Sequence, residues 1–349
     1  MINIFGLTKK KLEQYLETIN EKPFRATQIF EWIYKKGVCD FDQMSNISKG
    51  SIENLKNHFT FGFLDIDTKQ TSSDGTRKFL YKLDDGRFIE TVLMVHNYGN
   101  SVCISTQVGC NMGCSFCQSG LNKRVRNLEV HEMVLQVYLI NQILKKEESN
   151  VSHIVIMGIG EPFDNYENLI DFLSIVNEPK GLEIGARHIT VSTCGIVPKI
   201  YEFADLELQV NLAISLHFPN DELRSKYMKI NKTYNLSNLI EAINYYYKKT
   251  NRRITFEYIL IDGINDTVEI AHELVNLIRG INCYVNLIPM NSTVGQLRRS
   301  SKENTDKFYD LLMKNKINVT LRKEQGHDID AACGQLRIKR EGLSERINN

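Results

Sequence analysis

The hydrophobic positions of the N-terminal stretch recur at helical spacing. Leu12 and Leu16 fall on one helical face, and a second helical pattern over residues 26–34 follows the break at Pro23. We therefore predict a small helical domain over residues 1–60.

The period of the pattern changes to two after this domain. Apolar and polar residues alternate over 79–83, the Asp-Asp-Gly sequence at 84–86 is typical of a tight turn, and residues 88–95 alternate again. This pattern predicts a β-hairpin linker over residues 61–95.

Beyond residue 96, strand-like segments alternate with helical ones. The strand candidates are residues 102–107, 153–157, 188–193, 210–216, 254–260, 284–288 and 319–322. The helical patterns between them include residues 130–144, 236–247, 268–278 and 303–313. Repeated strand–helix units build a parallel sheet with helices outside it. Six or so units fit, fewer than a closed eight-fold barrel needs, so we predict an α/β fold with an open, partial (β/α)6 barrel over residues 96–349.

The composition is that of an ordinary globular protein, since 42% of the 349 residues are hydrophobic and 24% are charged. No stretch of about 20 apolar residues occurs, so we expect no membrane-spanning helix. The N-terminal residues lack the basic start and apolar core of a signal peptide, and we expect a cytoplasmic protein.

Local basic residues must provide any nucleic-acid contact, because the formal net charge is only +1. Lys35 and Lys36 lie in the helical domain, and Lys123, Arg124 and Arg126 follow a cysteine-rich segment. Solvated helix faces carry such residues too, so both interpretations stay open.

Three of the eight cysteines lie close together. Cys110, Cys114 and Cys117 form a C-x3-C-x2-C sequence, and thiolates hold soft metals and iron–sulfur clusters. A tetrahedral zinc site requires four ligands, and no further Cys or His lies nearby in the sequence. Three thiolates on a cubane cluster leave one iron open for a substrate. The spacing favours such a cluster, with a zinc knuckle or a chance grouping as the alternatives.

Polar residues and glycines follow several predicted strands where each strand ends. They are Gly160, Glu161, Ser192, Ser215, His217 and Asn291, and the apolar Leu216 lies between Ser215 and His217 in the same strand-end segment. The carboxyl ends of parallel strands meet at one rim, where such groups can bind hydroxyl and carboxylate groups of a ligand. Each of them alone is more often a turn or a strand-end cap, but their recurrence on successive strands favours a ligand site.

Several runs of the sequence together resemble the RlmN/Cfr family of RNA methyltransferases, which are radical S-adenosylmethionine (SAM) enzymes. The runs are KPFRATQIFEWIYKKGV near the N-terminus, CISTQVGC, the three-cysteine segment, RNL, GIGEP, ITVSTCGIVP, AISLH, INKTYN, NLIPMN and IDAACGQL near the C-terminus. They cover nearly the whole chain in the family's order. The resemblance implies a radical SAM barrel with an N-terminal accessory domain that binds RNA.

The resemblance also implies the cofactors. One [4Fe–4S] cluster is held by Cys110, Cys114 and Cys117, its open iron binds SAM, and two SAM molecules are used per turnover. Gly160 and Glu161 resemble the motif that holds the SAM amino group. We assign the remaining strand-end residues to the same site: Ser192, Ser215, Leu216, His217 and Asn291.

Three further residues gain roles only from the resemblance. Cys333 lies among small residues and would otherwise be interpreted as an inert buried thiol. By the resemblance, SAM methylates its sulfur, and a radical from the second SAM then drives attack of that carbon on adenine. Cys103 matches the cysteine that resolves the protein–RNA adduct through a transient disulfide with Cys333. Glu90 matches a proposed proton acceptor, with an exposed strand carboxylate as the alternative.

The implied reaction is methylation of C2 of adenine 2503 in 23S rRNA, and adenine 37 of tRNA is left open as a second substrate. The Cfr-type reaction at C8 of the same rRNA adenosine, which confers antibiotic resistance, is the alternative within the family. Pro162 favours the RlmN side, because Cfr-type proteins tend to have Ala there. A non-catalytic iron–sulfur RNA-binding protein is the alternative of another class, and retention of both Cys103 and Cys333 argues against it. We also expect an electron donor such as flavodoxin or ferredoxin, and a monomeric protein.

Two segments depart from the commonest family pattern. Residues 118–125 lack the Ser/Ala-Thr pair and the Gly-rich stretch of many relatives, and Ile159 and Phe163 replace the usual Met and Leu. The cluster chemistry does not depend on these positions. We expect the loop after the cluster to influence the choice of substrate, since it lies near the RNA-facing rim.

Overall fold

An N-terminal helical unit precedes the main sheet. The computed structural model describes residues 1–121, 123–290, 297–326, 328–330, 335–340 and 342. The unit contains strand β1 (Ile2–Asn3), helices α1 (Lys9–Thr18), α2 (Arg25–Phe30) and α3 (Lys49–His58), and strand β2 (Phe59–Thr60), which pairs in parallel with β1. The side chains of Thr8 and Ser48 accept backbone N–H groups in the first turns of α1 and α3, so both helices begin at favourable caps.

Three antiparallel strands follow: β3 (Asp65–Thr71), β4 (Arg77–Lys82) and β5 (Phe88–His96). β4 and β5 are the predicted hairpin, with Lys82 opposite Phe88. The sequence pattern did not reveal β3, because its residues are mostly polar and exposed. β5 also pairs with β6 (Gly99–Cys103), so the hairpin is continuous with the main sheet.

The rest of the chain completes a ten-stranded main sheet. The strands after β6 are β7 (Gln107–Val108), β8 (Arg126–Asn127), β9 (Val151–Ile156), β10 (Ile189–Thr193), β11 (Asn211–Ser215), β12 (Ile254–Leu260), β13 (Cys283–Pro289) and β14 (Asn318–Leu321). The helices in this part of the chain are α4 (Gln118–Leu121), α5 (Val130–Lys145), α6 (Tyr166–Asn177), α7 (Val197–Asp205), α8 (Asp221–Tyr227), α9 (Leu236–Thr250), α10 (Val268–Leu277), α11 (Lys302–Lys314) and α12 (Gln335–Arg340). β7 and β8 pair only with each other among the described strands. No helix in the described ranges has the length and apolarity needed to cross a membrane.

The strand order of the main sheet is β14-β13-β12-β11-β10-β9-β6-β5-β4-β3. Neighbours from β6 to β14 pair in parallel, and neighbours from β3 to β6 pair in antiparallel fashion. Within the described part of the chain, the end strands β3 and β14 do not pair with each other, so the sheet is open. The predicted α/β class with an open, partial barrel of β–α units is confirmed.

Each core strand has an apolar outer face and a more polar inner face. In β12, Phe256 and Tyr258 are fully buried, and the Tyr258 ring lies 5.2 Å from the Phe308 ring of α11, centroid to centroid. Glu257, between them in sequence, therefore points to the opposite face. We call this face, which carries Glu257, the inner face.

The N-terminal unit packs against α5 and the end of α6. The rings of Phe5 and Tyr138 lie 4.8 Å apart, and the Cys39 thiol contacts the Tyr138 hydroxyl at 3.1 Å. Lys9 of α1 pairs with Glu178, which follows α6, at 3.4 Å. At least one lysine of this unit is therefore used to hold it on the core.

The first core strand is displaced from its predicted position at 102–107, because β6 ends at Cys103. The N–H of Ser105 donates to the side-chain oxygen of Gln136 on α5 at 2.9 Å, and its hydroxyl donates to the carbonyl oxygen of Glu90 at 2.7 Å. Side-chain hydrogen bonds thus take over from strand pairing where the chain turns toward the cysteine-rich segment.

Candidate active site

The three-cysteine segment forms the loop between β7 and α4. Gly113 has a φ of +60°, which permits a sharp reversal between the first two cysteines. The N–H of Cys117 donates to the carbonyl oxygen of Cys114 at 3.1 Å, and the N–H of Ser115 donates to that of Tyr227 at 3.0 Å. The loop is therefore anchored to the end of α8.

The thiols of this loop are buried, and burial controls their protonation. Burial raises the pKa of the Cys110 thiol to about 12 and also raises the pKa of the Cys114 thiol. The negative charge of the Cys117 thiolate contributes to the rise of both pKa values. Such thiols keep their protons until a cation replaces them, as metal ligands do. Within the described ranges, no three Cys, His, Asp or Glu side chains converge on the position of a single metal ion. A cubane does not need that convergence, since each thiolate binds a different iron.

An apolar cluster covers one side of the cysteine loop. The ring of Phe116 meets the His217 ring edge-on at 4.9 Å and lies 6.0 Å from the Phe218 ring, which stacks on Tyr227 at 5.1 Å. Met228 is buried in the same cluster. A shell of this kind limits solvent access and thereby influences the reduction potential of a bound cluster.

Gly160 lies where two chain segments approach closely. Its φ is +114°, and an added Cβ would lie 2.7 Å from the Thr106 hydroxyl oxygen and from Cβ of Gln107. The side-chain oxygen of Gln107 accepts the N–H of Glu161 at 2.9 Å. These contacts already require glycine here, so the SAM contact of Gly160 stays a prediction.

The side chain of Glu161 joins the ends of β9 and β10. It is buried, and its two carboxylate oxygens accept the N–H groups of Cys194 at 2.8 Å and Phe163 at 3.0 Å. Burial raises the pKa of this carboxyl, and the hydrogen bonds oppose that rise. The predicted SAM contact of Glu161 also stays a prediction.

Ser192 and Ser215 are brought together on neighbouring strands. Their hydroxyl oxygens lie 3.4 Å apart. Ser215 lies opposite Glu257 of β12, and the buried Glu257 carboxylate accepts the amide N–H of Asn286 at 2.9 Å. Hydroxyl, carboxylate and amide groups therefore form one row on the inner face, and these are the groups that bind ribose hydroxyls.

His217 is held in a left-handed conformation, with a φ of 60°. Its Nδ1 accepts the N–H of Ile259 at 3.1 Å, and its carbonyl oxygen accepts the side-chain N–H of Asn265 at 2.8 Å. Burial and then the charge of Arg224 lower the pKa of His217 to about 3, so its imidazole is neutral at physiological pH. Leu216 is fully buried. The SAM contacts of Leu216 and His217 stay predictions.

Arg224 is a residue that the sequence analysis missed. It is 0% exposed, and its guanidinium donates to the carbonyl oxygens of Cys194 at 2.7 Å and Leu216 at 3.3 Å and to the side chain of Asn231 at 2.9 Å. It also lies within electrostatic range of Cys114. An arginine on a short helix is usually exposed, and the one sequence signal is the nearby run INKTYN, which contains Asn231.

Cys103 ends β6 and lies opposite Val92 of β5. Burial raises the pKa of its thiol, whereas the positive charges of Arg322 and Lys78 oppose that rise. Nearby cations favour the thiolate, which is the reactive form of a cysteine. The role of Cys103 in resolving an adduct stays a prediction.

Glu90 is buried, so the alternative of an exposed strand carboxylate is wrong. One carboxylate oxygen pairs with the Lys78 ammonium at 2.9 Å, and the other accepts the N–H of Arg337 in α12 at 2.7 Å. Lys78 also donates to the carbonyl oxygen of Asp330 at 2.6 Å. Lys78 was not among the residues predicted from the sequence, although the hairpin register, with Leu80 opposite Glu90, places Lys78 diagonally across from Glu90. A role for Glu90 as proton acceptor stays a prediction.

The two arginines after the cysteine loop are paired with carboxylates. Arg124 contacts Asp164 at 2.6 Å, and Arg126 contacts both Glu132 and Asp85 at 2.7 Å. They hold the loop on the core and do not form an unpaired basic patch. Lys35 is paired as well, with Glu183 at 3.2 Å. RNA contact stays a prediction for all five candidates, Lys35, Lys36, Lys123, Arg124 and Arg126.

Two predicted site residues lie outside the described residues. Asn291 falls in the range 291–296 and Cys333 in the range 331–334. Their predicted roles in SAM binding and in carrying the methyl group stay predictions.

Two family models match the chain. The Ribosomal RNA large subunit methyltransferase N-terminal domain (RlmN_N) matches residues 2–60, and the Radical SAM superfamily matches residues 104–275.

Similar proteins match nearly the full length. One named probable dual-specificity RNA methyltransferase RlmN, from Spiroplasma citri, is 54% identical over 98% of this chain and 99% of that protein. A protein of the same name from Bacillus licheniformis is 56% identical over 97% of this chain and 94% of that protein. The crystal structure of a radical SAM methyltransferase from Sphaerobacter thermophilus is 42% identical, has a TM-score of 0.91, and covers 96% of this chain and 99% of its own.

Proposed function

This chain belongs to the RlmN family of radical SAM RNA methyltransferases, and we propose that it methylates C2 of adenine 2503 in 23S rRNA and of adenine 37 in tRNA. The observation that carries the proposal is the environment of Cys103. This thiol shares one face of the sheet with the Lys78–Glu90 pair, and that pair binds the main chain on both sides of residues 331–334, which include Cys333. A protein that only bound RNA would need neither cysteine.

Cys110, Cys114 and Cys117 would hold the [4Fe–4S] cluster. When bound, the cluster supplies an open iron for SAM and the electron that cleaves it. The residues of the chain exclude water from this site and hold it in place. Phe116 covers the site on one side, and the buried Arg224 binds the main chain at the neighbouring strand ends.

The SAM site is assigned to the inner face next to the cysteine loop. The hydroxyl groups of Ser192 and Ser215, 3.4 Å apart, suit the ribose of SAM. Gly160 and Glu161 belong to a turn that Gln107 holds by a hydrogen bond, so the turn is preorganised for the SAM amino group.

Cys333 and Cys103 carry out the covalent chemistry. The Cys333 thiol loses its proton and takes a methyl group from the first SAM, which leaves as S-adenosylhomocysteine. The S-methyl group of Cys333 would give up one hydrogen atom to the adenosyl radical that a bound cluster supplies from the second SAM, and its carbon would then bond to C2 of the adenine. The adduct would return one electron to the cluster, which gave one up when SAM was cleaved, and Glu90 would accept the C2 proton, so that the aromatic ring is restored.

Resolution of the adduct requires a second thiolate. Cys103 attacks the sulfur of Cys333, the bond between that sulfur and the methylene carbon breaks, and the carbon takes a proton to become the product methyl group. The two cysteines are left as a disulfide, which a two-electron reductant must reopen before the next turnover. This chemistry suits C2 because the carbon is electron-poor and is not attacked by ordinary SAM methylation.

Two observations favour C2 over the Cfr-type reaction at C8. The similar proteins from Spiroplasma citri and Bacillus licheniformis are both named RlmN, and this chain has Pro162 in the buried turn after Glu161. The name dual-specificity given to those relatives supports two RNA substrates for this chain as well.

The test is mass spectrometry of adenosines from rRNA and tRNA. Cells that lack this protein are compared with cells that express it and with cells that express the Cys333→Ala variant. We expect 2-methyladenosine in both RNAs only with the wild-type chain. The appearance of 8-methyladenosine would instead assign the Cfr-type reaction, and the absence of any new methyladenosine would refute the proposal.

A further inference from the structure

The segment before residues 331–334 docks on the antiparallel strands that begin the main sheet. The Asp328 carboxylate accepts the N–H of Ser73 at 3.0 Å. Gln70 on β3 makes two contacts with Asp330: its side-chain oxygen accepts the main-chain N–H at 3.0 Å, and its side-chain N–H donates to the carboxylate at 3.1 Å. The main chain at this flank is therefore tied to the sheet.

The segment after these residues, α12, is held by the same strands. Glu90 on β5 accepts the N–H of Arg337 at 2.7 Å, and Arg340 pairs with Asp67 on β3 at 3.1 Å. The two flanks also contact each other, since Lys339 of α12 pairs with Asp330 at 2.5 Å.

Lys78 connects the two flanks through one ammonium group. This group donates to the carbonyl oxygen of Asp330 at 2.6 Å and pairs with Glu90 at 2.9 Å, and Glu90 in turn binds Arg337. The Lys78 side chain is 0% exposed. A buried cation is costly unless it is paired and hydrogen-bonded, and these two contacts meet that requirement.

The strand register places this connection on the same face as Cys103. Lys78 lies opposite Val92, and Val92 lies opposite Cys103 on the next strand. Residues that are directly paired across strands present their side chains on one face of the sheet. The Lys78 ammonium and the Cys103 thiol consequently share the inner face, in agreement with the electrostatic interaction between them.

We propose that Lys78 is a positioning residue, which holds both flanks of the segment carrying Cys333 in a fixed relation to Cys103. This inference rests on the proposed function, because it concerns the approach of the two cysteines. Lys78 acts in this role through its contacts with Glu90 and Asp330. A displacement of about 1 Å in a reacting group can cost on the order of 10²-fold in rate, so the loss of this connection has a large kinetic effect.

The test compares Lys78→Met with Lys82→Met. Lys82 lies on the same strand but is exposed, which makes it the matched control. In the Lys78→Met holoenzyme we expect RNA methylation to slow by about 100-fold with the wild-type iron content. Amide hydrogen exchange should be about tenfold faster in residues 335–340 and unchanged in the strands of the core. The Lys82→Met enzyme should match the wild type in all three measurements.

Methylation by Lys78→Met within about threefold of the wild-type rate, or unchanged exchange in residues 335–340, would overturn the inference. If the wild-type enzyme itself methylates no adenosine, the proposed function is refuted. The amide exchange rates of residues 335–340 then test independently whether Lys78 holds the two flanks.

If Lys78→Met does not fold, the double variant Lys78→Met/Glu90→Gln provides the answer, because it leaves no unpaired buried carboxylate. Its readout is amide exchange alone. Faster exchange confined to residues 335–340 supports the inference, and wild-type exchange there overturns it.

Discussion

The Glu161 carboxylate accepts the backbone N–H of Cys194 at 2.8 Å, so the turn after β9 is bound directly to the end of β10. From the other side, the carbonyl oxygen of Cys194 accepts the guanidinium of Arg224, which also binds Leu216 after β11. Three successive strand ends are thereby linked by two buried ionisable side chains. Neither side chain is replaceable without leaving polar main-chain groups unsatisfied.

Replacement of Arg224 by Met should destabilise the fold. The substitution removes the side-chain donor to the Cys194 carbonyl oxygen and one of the two donors to that of Leu216, which keeps the N–H of Phe218. The expected loss in the free energy of unfolding is about 3 kcal/mol. Urea unfolding of the cluster-free protein measures it. Lys226→Met is the control, since Lys226 is exposed on the same helix and should change the free energy by less than about 0.5 kcal/mol. An equal effect of both variants would contradict this account.

Replacement of Gly160 by Ala should disrupt the turn after β9. The new Cβ would approach Gln107 and Thr106 to 2.7 Å, and alanine is strained at a φ of +114°. We expect SAM affinity to fall at least about tenfold, as measured by isothermal titration calorimetry of the reconstituted enzyme. Gly185→Ala is the control, because open space surrounds Gly185. Wild-type SAM affinity in Gly160→Ala would remove this turn from the SAM site.

His217 should make stability depend on pH. Its pKa of about 3 in the folded protein lies below the unfolded value of about 6.5, so the unfolded chain binds more protons between these values. The free energy of unfolding is therefore unaffected by this group above pH 6.5. It falls as the pH drops below that value, by up to about 1.4 kcal/mol per unit.

The pH dependence can be isolated with His217→Asn, since asparagine tolerates the left-handed conformation and offers an oxygen to Ile259. The stability advantage of the wild type over this cluster-free variant should shrink between pH 7 and pH 5 in urea unfolding. His272→Asn, at an exposed position, is the control and should show a constant difference. A constant difference for His217→Asn as well would show that the histidine is not neutral in the folded protein.

The three-cysteine loop should bind iron as a cubane. Anaerobically reconstituted wild-type protein should contain about four irons, and Cys110→Ala, Cys114→Ala or Cys117→Ala should each lose the iron and the release of 5′-deoxyadenosine from SAM. Cys283→Ala should keep both, because Cys283 lies on β13 away from the loop. Stoichiometric zinc in the active wild-type protein would exclude the cluster.

The two other cysteines should give opposite results on a denaturing gel. Cys103→Ala should still form the bond to adenine, so it should accumulate as a covalent protein–RNA adduct that nuclease digestion and mass spectrometry locate at position 333. Cys333→Ala should form no adduct, and Cys39→Ala should turn over normally. An adduct in Cys333→Ala, or normal turnover by Cys103→Ala, would reverse the assigned roles.

The parallel core could be predicted because its strands are regular in composition. The predicted strand at 254–260 coincides with β12, and the helical pattern at 130–144 coincides with α5 to within one residue. Buried parallel strands and amphipathic helices have strong periodic patterns, which are preserved whatever the surroundings. By contrast, β3 was missed because an exposed polar edge strand has no such pattern.

The chemistry-bearing residues were recognised only where a motif surrounds them. The spacing of the three cysteines and the GIGEP turn are visible in the sequence. The roles of Arg224 and Lys78 are not visible in the sequence, because each residue contacts main-chain carbonyl groups that are distant along the chain. Burial of a cation depends on tertiary contacts, and local sequence does not encode it.

The contact of Lys78 with Asp330 spans 252 positions of the chain. A nascent chain must therefore complete every β–α unit of the core before this contact can form, and contacts of such separation form late because loop closure is entropically costly. The cysteine loop, in contrast, is made early in synthesis. A truncated or half-made chain can thus contain the three cysteines without the contact between Lys78 and Asp330, so this contact distinguishes complete molecules from incomplete ones.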